Sequence, residues 1–488
     1  MSKNLFLGLD VGTQGARAIA CDASGGVVAE SSVPFPHRRT SRKAKRHEQN
    51  PQDWWEAAVK CLHTLARQAE AAGYPRDALA RLAVTSTSGT VVLTYGSGRV
   101  VRPAIMYNDA RAAAEAERVN AAAEVFIEKL GYRFSASFAL PKILWLAEHE
   151  PKSIKAAARI GHAADFLVGR LTGRYDVSDT SNVLKTGYDL VDRRWPAFVS
   201  ETLGIPLGKL PGILSPGETV GRIATRVADR TGISRLALVS AGATDGTAAF
   251  LASGACRVGQ WCSTIGTTLV LRGVSRTLLR DPLGRIYCHA HPEGHWLPGA
   301  ASNVGGECLE ARFKRSELPA LDAQVGRHIP NKLLVYPLAR RGERFPFVDP
   351  EAEGFVRGRA TGRARLYAAH LEAVAFVERW GLEIMAGLGA GIHGPIFASG
   401  GATASDVWLQ LRSDVLGRPI RVAANAHSAK GAALLAAASS FGSLSAAIDR
   451  MVHFEKTFEP HTLLRDYFDE KYARFRKACA RAFPAARA

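Results

Sequence analysis

Cysteine is scarce and unpatterned in this 488-residue chain: there are seven, an odd number, and none falls in a C-x-x-C spacing. That argues against a disulfide framework and a thiolate zinc site, and it predicts a reducing, cytoplasmic setting. Long hydrophobic runs are missing too. No stretch reaches the roughly 18 uninterrupted apolar residues that a membrane helix needs. The opening MSKNLFLGLD holds one Lys and an apolar run broken at Asp10 and Gly12, too short for a signal peptide. The G-x-x-x-x-G-K-S/T signature is also absent, which excludes a P-loop enzyme.

Acidic residues are the minority: 45 Asp and Glu stand against 63 Lys and Arg, a formal net charge of +18. An excess of this kind suits nucleic acid, anionic membranes or anionic small molecules. The positive charge is spread along the chain except for one cluster, His37 to Arg46. No aromatic interleaving and no recognition helix accompany it, so it reads as a solvated loop at a hairpin tip. The expected partners are therefore small molecules, with no nucleic acid and no membrane. Composition, at 47% hydrophobic and 22% charged, is that of a globular protein. The length allows roughly two to four domains.

Residues 5–35 read as three strands joined by glycine turns, Gly12-Thr13-Gln14-Gly15 and then Gly25-Gly26. Asn50-Pro51 opens a helix in which Trp54, Ala58, Leu62, Leu65 and Ala69 keep helical spacing. Leu79–Thr85 and Val91–Tyr95 read as strands, and residues 110–175 as mainly helical, with one helix over Ile154–Leu171 ending at Thr172-Gly173. A strand over 236–241 leads into Gly242-Ala243-Thr244-Asp245-Gly246 and a helix over Thr247–Ser253. A second glycine-turned hairpin follows around Gly266-Thr267, echoing the first about 250 residues later. That echo suggests a duplicated α/β fold. A long helix over 360–391, a strand at Ile396-Phe397-Ala398 and a small-residue helix over Ala429–Ala438, suited to close packing, follow. The boundary falls near 245–256, giving an N-terminal domain over 1–250, a C-terminal domain over 251–445 and a helical tail over 446–488.

Asp10 ends a buried strand, where a carboxylate can hold hydrated Mg²⁺. The glycines after it let backbone N–H groups approach phosphate, and Thr13 adds a hydroxyl. Ser263-Thr264-Ile265-Gly266-Thr267-Thr268 repeats the construction, so two hairpins are available to grip a nucleoside triphosphate. Asp245 stands at the carboxyl end of its strand, where α/β sheets place functional groups. It reads either as a general base for a hydroxyl or as a helix N-cap, and the two are compatible. Gly400-Gly401-Ala402 would let an adenosine lie against backbone. Gly242 with Gly246, and Gly387-x-Gly389-x-Gly391, fail the context of a dinucleotide fingerprint. His289, His291 and His295 have no ligand-supplying helix and read as surface histidines of a hairpin rather than a zinc site.

In order, Asp10-x-Gly12-Thr13, Gly-x-Thr-Asp245-Gly, Ile265-Gly266-Thr267-Thr268, Gly342-Glu343-Arg344-x-Pro346 with Asp349-Pro350, and Gly400-Gly401-Ala402 resemble the motifs of the FGGY carbohydrate kinases. The resemblance spans about residues 4–440. It implies an α/β fold of two actin-like (ribonuclease H-like) ATPase domains flanking a nucleotide and sugar cleft. Within the family the chain is most similar to the D-ribulokinases of the cyanobacterial and plant type, formerly labelled xylulokinase-like. That closer likeness rests on Tyr107-Asn108, His162-x-Ala164-Asp165-Phe166-Leu167, Val177-Ser178-Asp179, Asn182-x-Leu184-Lys185-x-Gly187-Tyr188-Asp189 and Gly299-Ala300-x-Ser302-Asn303-x-Gly305-Gly306.

The resemblance implies ATP and Mg²⁺ as cofactors, and a ketopentose, with D-ribulose expected, as substrate. It assigns Asp245 as catalytic base and Asp10 to metal and substrate. Ser88, in Ser86-Thr87-Ser88-Gly89-Thr90, falls on the sugar loop. Thr13, Gly15 and Arg17 fall near the transferred phosphate, and Gly266, Thr267 and Thr268 on the second phosphate hairpin. Gly305, Gly306, Gly400, Gly401, Ser405 and Trp408 fall on the nucleotide side, Ser405 replacing the usual Asn. Many xylulokinases carry Met-His-Gly at the sugar loop and Trp-x-Asp after the next strand, where this chain has Ser-Gly-Thr and Tyr107-Asn108-Asp109. Those departures argue against an ordinary D-xylulokinase. The alternatives are a kinase for D-xylulose, L-ribulose or a polyol, or an actin-like ATPase with a binding role. A monomer or homodimer is expected.

Overall fold

A computed structural model describes residues 4–36 and 46–487. The basic cluster read at 37–46 therefore lies outside the described residues, except Arg46. By packing, the chain divides into two compact units. The first holds Met1–Gly254 with His289–Gly294 and Asn425–Val452; the second holds Ala255–Cys288, His295–Ala424 and His453–Ala488. Packing thus departs from chain order, since two later stretches, His289–Gly294 and Asn425–Val452, return to the first unit.

The first unit is built on a six-stranded sheet in the order Thr219–Arg222, Leu238–Thr244, Leu79–Ser86, Leu5–Val11, Gly15–Cys21, Val27–Pro34. Leu5–Val11 and Leu238–Thr244 both run parallel to Leu79–Ser86, whereas Gly15–Cys21 and Val27–Pro34 fold back antiparallel. Leu5, Leu7 and Leu9 are buried, as a central strand covered on its faces requires. One cover is the helix Pro51–Ala71, started by the Asn50 side chain accepting from Gln52 N at 3.1 Å and burying Trp54, Ala58, Leu62, Leu65 and Ala69.

Another cover is the helix Ser428–Ala437, every residue of which from Ala429 onward is buried. Its small side chains allow backbone contact. A Cβ on Gly8 would run into the Ala429 carbonyl oxygen, and one on Gly431 into the Ala248 carbonyl oxygen. The close packing expected of this helix is therefore present.

The second unit repeats the plan in a seven-stranded sheet. Its core order is Phe454–Phe458, Ile420–Ala423, Ile396–Ser399, Trp261–Ile265, Leu269–Gly273, Trp296–Ser302, with Tyr287–Ala290 beyond. Ile396–Ser399 is parallel to both its neighbours, and the strands after Trp261–Ile265 turn back antiparallel. This is the strand pattern of the first unit, as the echoed hairpins predict.

Three local expectations need correction. The helix predicted over Ile154–Leu171 is two helices, Pro151–Ala156 and Ala163–Thr172, because Arg159–Gly161 is drawn out as a strand pairing with Val92–Thr94. Gly173, at φ 88°, ends the second helix as read. The helix after the Asp245 strand begins at Asp245 itself, with Thr244 as its N-cap, so Asp245 is not the capping residue. His289 and His291 are buried, at 2% and 3% exposure, and are not surface histidines. Their segment is drawn inward where the Glu293 carboxylate accepts from Ser445 N at 3.0 Å and Ser445 Oγ at 3.2 Å.

Candidate active site

Parallel pairing sets the first part of the site. Asp10 lies opposite Thr85, and Thr244 opposite Ser86, so Asp10, the loop after Ser86, and Asp245 all leave the carboxyl ends of three adjacent strands. Loops at that edge carry functional groups in α/β sheets because the strands aim them the same way.

The Asp10 carboxylate is held on one side only. Its Oδ2 accepts from Ser428 Oγ at 2.5 Å, while its Oδ1 is buried with no hydrogen-bond partner among the described residues. Burial pushes its pKa up, the Ser428 bond pulls it down, and the nearby Asp245 charge raises it again; the result is about 6. A buried carboxylate oxygen without a donor is what a hydrated divalent cation requires of its ligand. Asp245, the first residue of the helix Asp245–Ala252, is half-buried, and its Oδ1 accepts from Gly246 N at 2.6 Å. Beneath it Ser181 Oγ, Thr244 Oγ1 and Thr247 Oγ1 form a buried triangle with sides of 2.9 to 3.0 Å, which fixes the strand-to-helix turn.

Thr13, Gly15 and Arg17 lie on the first hairpin. Gly12 N donates to Gly15 O at 3.0 Å to close its turn, and Gln49 Nε2 donates to Thr13 O at 2.8 Å. Gly15 has no room for a side chain, since a Cβ would stand 2.6 Å from Val33 O. Arg17 is exposed, lies opposite Asp10 in register and approaches Glu30 at 3.8 Å.

The loop bearing Ser88 is clamped from below by Lys142, which sequence reasoning missed. The fully buried ammonium donates to Gly89 O at 3.0 Å, and to Tyr107 O and Ser137 O, each at 3.1 Å. Burial, and then the Lys185 charge, push its pKa down to about 7. Ser88 Oγ is itself buried with no partner among the described residues. The signal for Lys142 was a lone charge in the apolar run Leu140-Pro141-Lys142-Ile143-Leu144. Ser428 had no such signal, because its partner lies 418 positions away.

In the second unit three glycine segments converge. Gly306 N donates to Gly266 O at 2.7 Å, and a Cβ on Gly305 would stand 2.5 Å from Thr267 O. Gly400 has φ 88°, and a Cβ there would stand 2.5 Å from Ile265 O. These contacts frame a cavity of about 480 Å³ lined by Gly266, Thr267, Gly306, Gly401, Ser405 and Trp408 among others.

Thr268, Gly305 and Gly400 do not line that cavity; Gly305 is buried against the Thr267–Thr268 backbone, Gly400 lies against Ile265 O but is exposed, and Thr268 is half-buried. Ser405 spends its hydroxyl as the N-cap of the helix Asp406–Leu416, accepting from Trp408 N at 3.2 Å. Trp408 is buried and donates its indole N–H to Leu371 O at 3.3 Å, so it offers a wall and no free donor. Glu343, from the Gly342-Glu343-Arg344 motif, accepts from Asn303 N at 2.7 Å and from Ser302 Oγ and Tyr336 OH at 2.9 Å, tying down the strand end that leads to Gly305.

Residues 5–252 match the N-terminal domain, and residues 264–440 the C-terminal domain, of the FGGY family of carbohydrate kinases. The chain belongs to that family. Among FGGY relatives, the xylulose kinase of Streptomyces rubiginosus is 30% identical over 457 residues, covering 91% of this chain and 90% of that protein. The glycerol kinase of Thermococcus onnurineus is 29% identical over 452 residues, 88% of each chain. The solved xylulose kinase from Rhodospirillum rubrum is 27% identical, covers 99% of this chain and 100% of its own, and has a TM-score of 0.88. The FGGY fold, two actin-like ATPase domains, and the carbohydrate kinase activity are thereby established. These three relatives are named for xylulose and glycerol.

Proposed function

We propose that this FGGY kinase transfers the γ-phosphoryl group of ATP to a ketopentose, D-ribulose giving D-ribulose 5-phosphate. The observation that carries the reading is the pair Asp10 and Asp245 at the ends of neighbouring strands, with the Lys142-clamped loop 86–90 between them in sheet order. Asp245 accepts the proton of the C5 hydroxyl as its oxygen attacks the γ-phosphorus, which leaves ADP. Ser88 and its loop orient the sugar, and such positioning removes entropy from the barrier. The backbone N–H groups of the two hairpins bind phosphate oxygens, and the cavity beside Gly401 takes the nucleoside.

Asp10 suits a magnesium site because Oδ1 is buried and lacks a donor among the described residues. A magnesium ion held by Asp10 would supply neutralisation of the phosphate charge.

A second reading, D-xylulose, is favoured by the names of the relatives. Against it stands Ser88-Gly89-Thr90 in place of Met-His-Gly. The test is ADP release with Mg²⁺-ATP against D-ribulose, D-xylulose, L-ribulose, ribitol and glycerol. Selective turnover of D-ribulose is expected; preference for another sugar would move the substrate. Asp245→Asn should lower kcat about 10²- to 10⁴-fold with the ATP KM retained. Near-normal turnover by that variant would remove Asp245 as base.

A further inference from the structure

The first unit contains another polar cavity, about 290 Å³, at neither hairpin. Arg99, Arg170, Arg226, Tyr175, Asn50 and Gln52 are on its wall. Among the described residues none of the three arginines is ion-paired with a carboxylate, and Arg170 Nε is buried without an acceptor. The one carboxylate whose charge reaches Arg170, that of Glu56, is already taken: it pairs with Arg230 at 2.6 Å and accepts from Gln52 Nε2 at 2.8 Å.

The arrangement is built rather than incidental. The Arg170 guanidinium lies 4.9 Å from the Trp55 ring centroid and 5.9 Å from that of Phe166, so its plane is braced by aromatic faces. The Tyr175 ring occupies a slot that exists only because Gly98 and Gly169 lack side chains, as a Cβ on either would overlap the ring. Gly98, at φ 76°, also has the backbone of a glycine turn. Burial lowers the pKa of Arg170, and Arg226 and Arg230 repel its charge while Tyr175 and Glu56 relieve it. Three guanidiniums lining one cavity without a paired carboxylate are the donor set for a planar or tetrahedral oxyanion.

We propose that this cavity binds a phosphate monoester of a small polyol or sugar, with Arg170, Arg226 and Arg99 gripping the phosphate. The volume leaves room for an organic group beyond the phosphate itself.

The test is calorimetric titration of the full chain, saturated with Mg²⁺ and a non-hydrolysable ATP analogue, with inorganic phosphate and with glycerol 3-phosphate. Saturable binding of the ester is expected, at least as tight as that of phosphate. Arg226→Gln, an exposed change that leaves the core alone, should weaken it at least tenfold, and Arg170→Gln likewise. Arg235→Gln, whose guanidinium pairs with Asp229 away from the cavity wall, should leave it unchanged. Absence of saturable binding, or equal affinity in the wild type and Arg226→Gln, would overturn the site. Binding of inorganic phosphate with exclusion of the ester would overturn the ligand class.

Discussion

Ser428 Oγ donates to Asp10 Oδ2 at 2.5 Å, joining the start of a late helix to the end of the first strand. This bond selects the ionised form of a carboxylate that burial otherwise pushes toward the acid, holding its pKa at about 6. If the ionised form is the active one, activity falls as pH drops through about 6. Ser428→Ala removes the stabilising donor, so the acid limb of the kcat/KM profile should move to higher pH by about one unit, a bond to a charged group contributing about 1.5–3 kcal/mol. A pH–rate profile of the two proteins decides it; an unmoved limb would assign that limb elsewhere.

The same carboxylate should weaken the fold. Its folded pKa of about 6 exceeds the ordinary carboxylate value of 3.8, so folding takes up a proton between those values. The stability this contributes is complete below pH 3.8 and lost as pH rises through 6. Asp10→Asn should therefore raise thermal stability at pH 7.5, by about 1–3 kcal/mol, with the gain vanishing near pH 4, while activity collapses. Thermal unfolding at both pH values is the check.

Lys142→Met should leave the carbonyls of Gly89, Tyr107 and Ser137 without their shared donor. Loss of about 2 kcal/mol or more of stability is expected, since buried acceptors are left unmet. The sugar KM should rise severalfold with little change in the ATP KM, because only the sugar loop is released. Equal rises in both constants would point to a general defect.

Gly400→Ala places a methyl group 2.5 Å from Ile265 O on a backbone with φ 88°. Both effects disturb the second hairpin, the strained backbone alone by about 1 kcal/mol or more. The ATP KM should rise about tenfold and the sugar KM should hold. Steady-state kinetics with each substrate varied separates the two.

Local chemistry was legible in the sequence wherever neighbours along the chain decide the outcome. The glycine turns at 12–15 and 266–267, the Asn50 cap with its buried helical face, the glycine stop at 173 and the strand leading to Asp245 all depend on residues a few positions apart. So did the repeat of one hairpin in each half, which the strand orders of the two sheets bear out. Tertiary structure decided the rest, because burial and long-range pairing have no local signature. Strand pairing with Val92–Thr94 splits the helix that the sequence predicts over Ile154–Leu171. Contacts buried His289 and His291, and the hydroxyl of Ser405 went to a cap. The return of Asn425–Val452 to the first unit brought Ser428 to Asp10. The sequence by itself determined which groups the site has, whereas only folding determined which of them keep an unmet lone pair or charge, since that depends on everything packed around them.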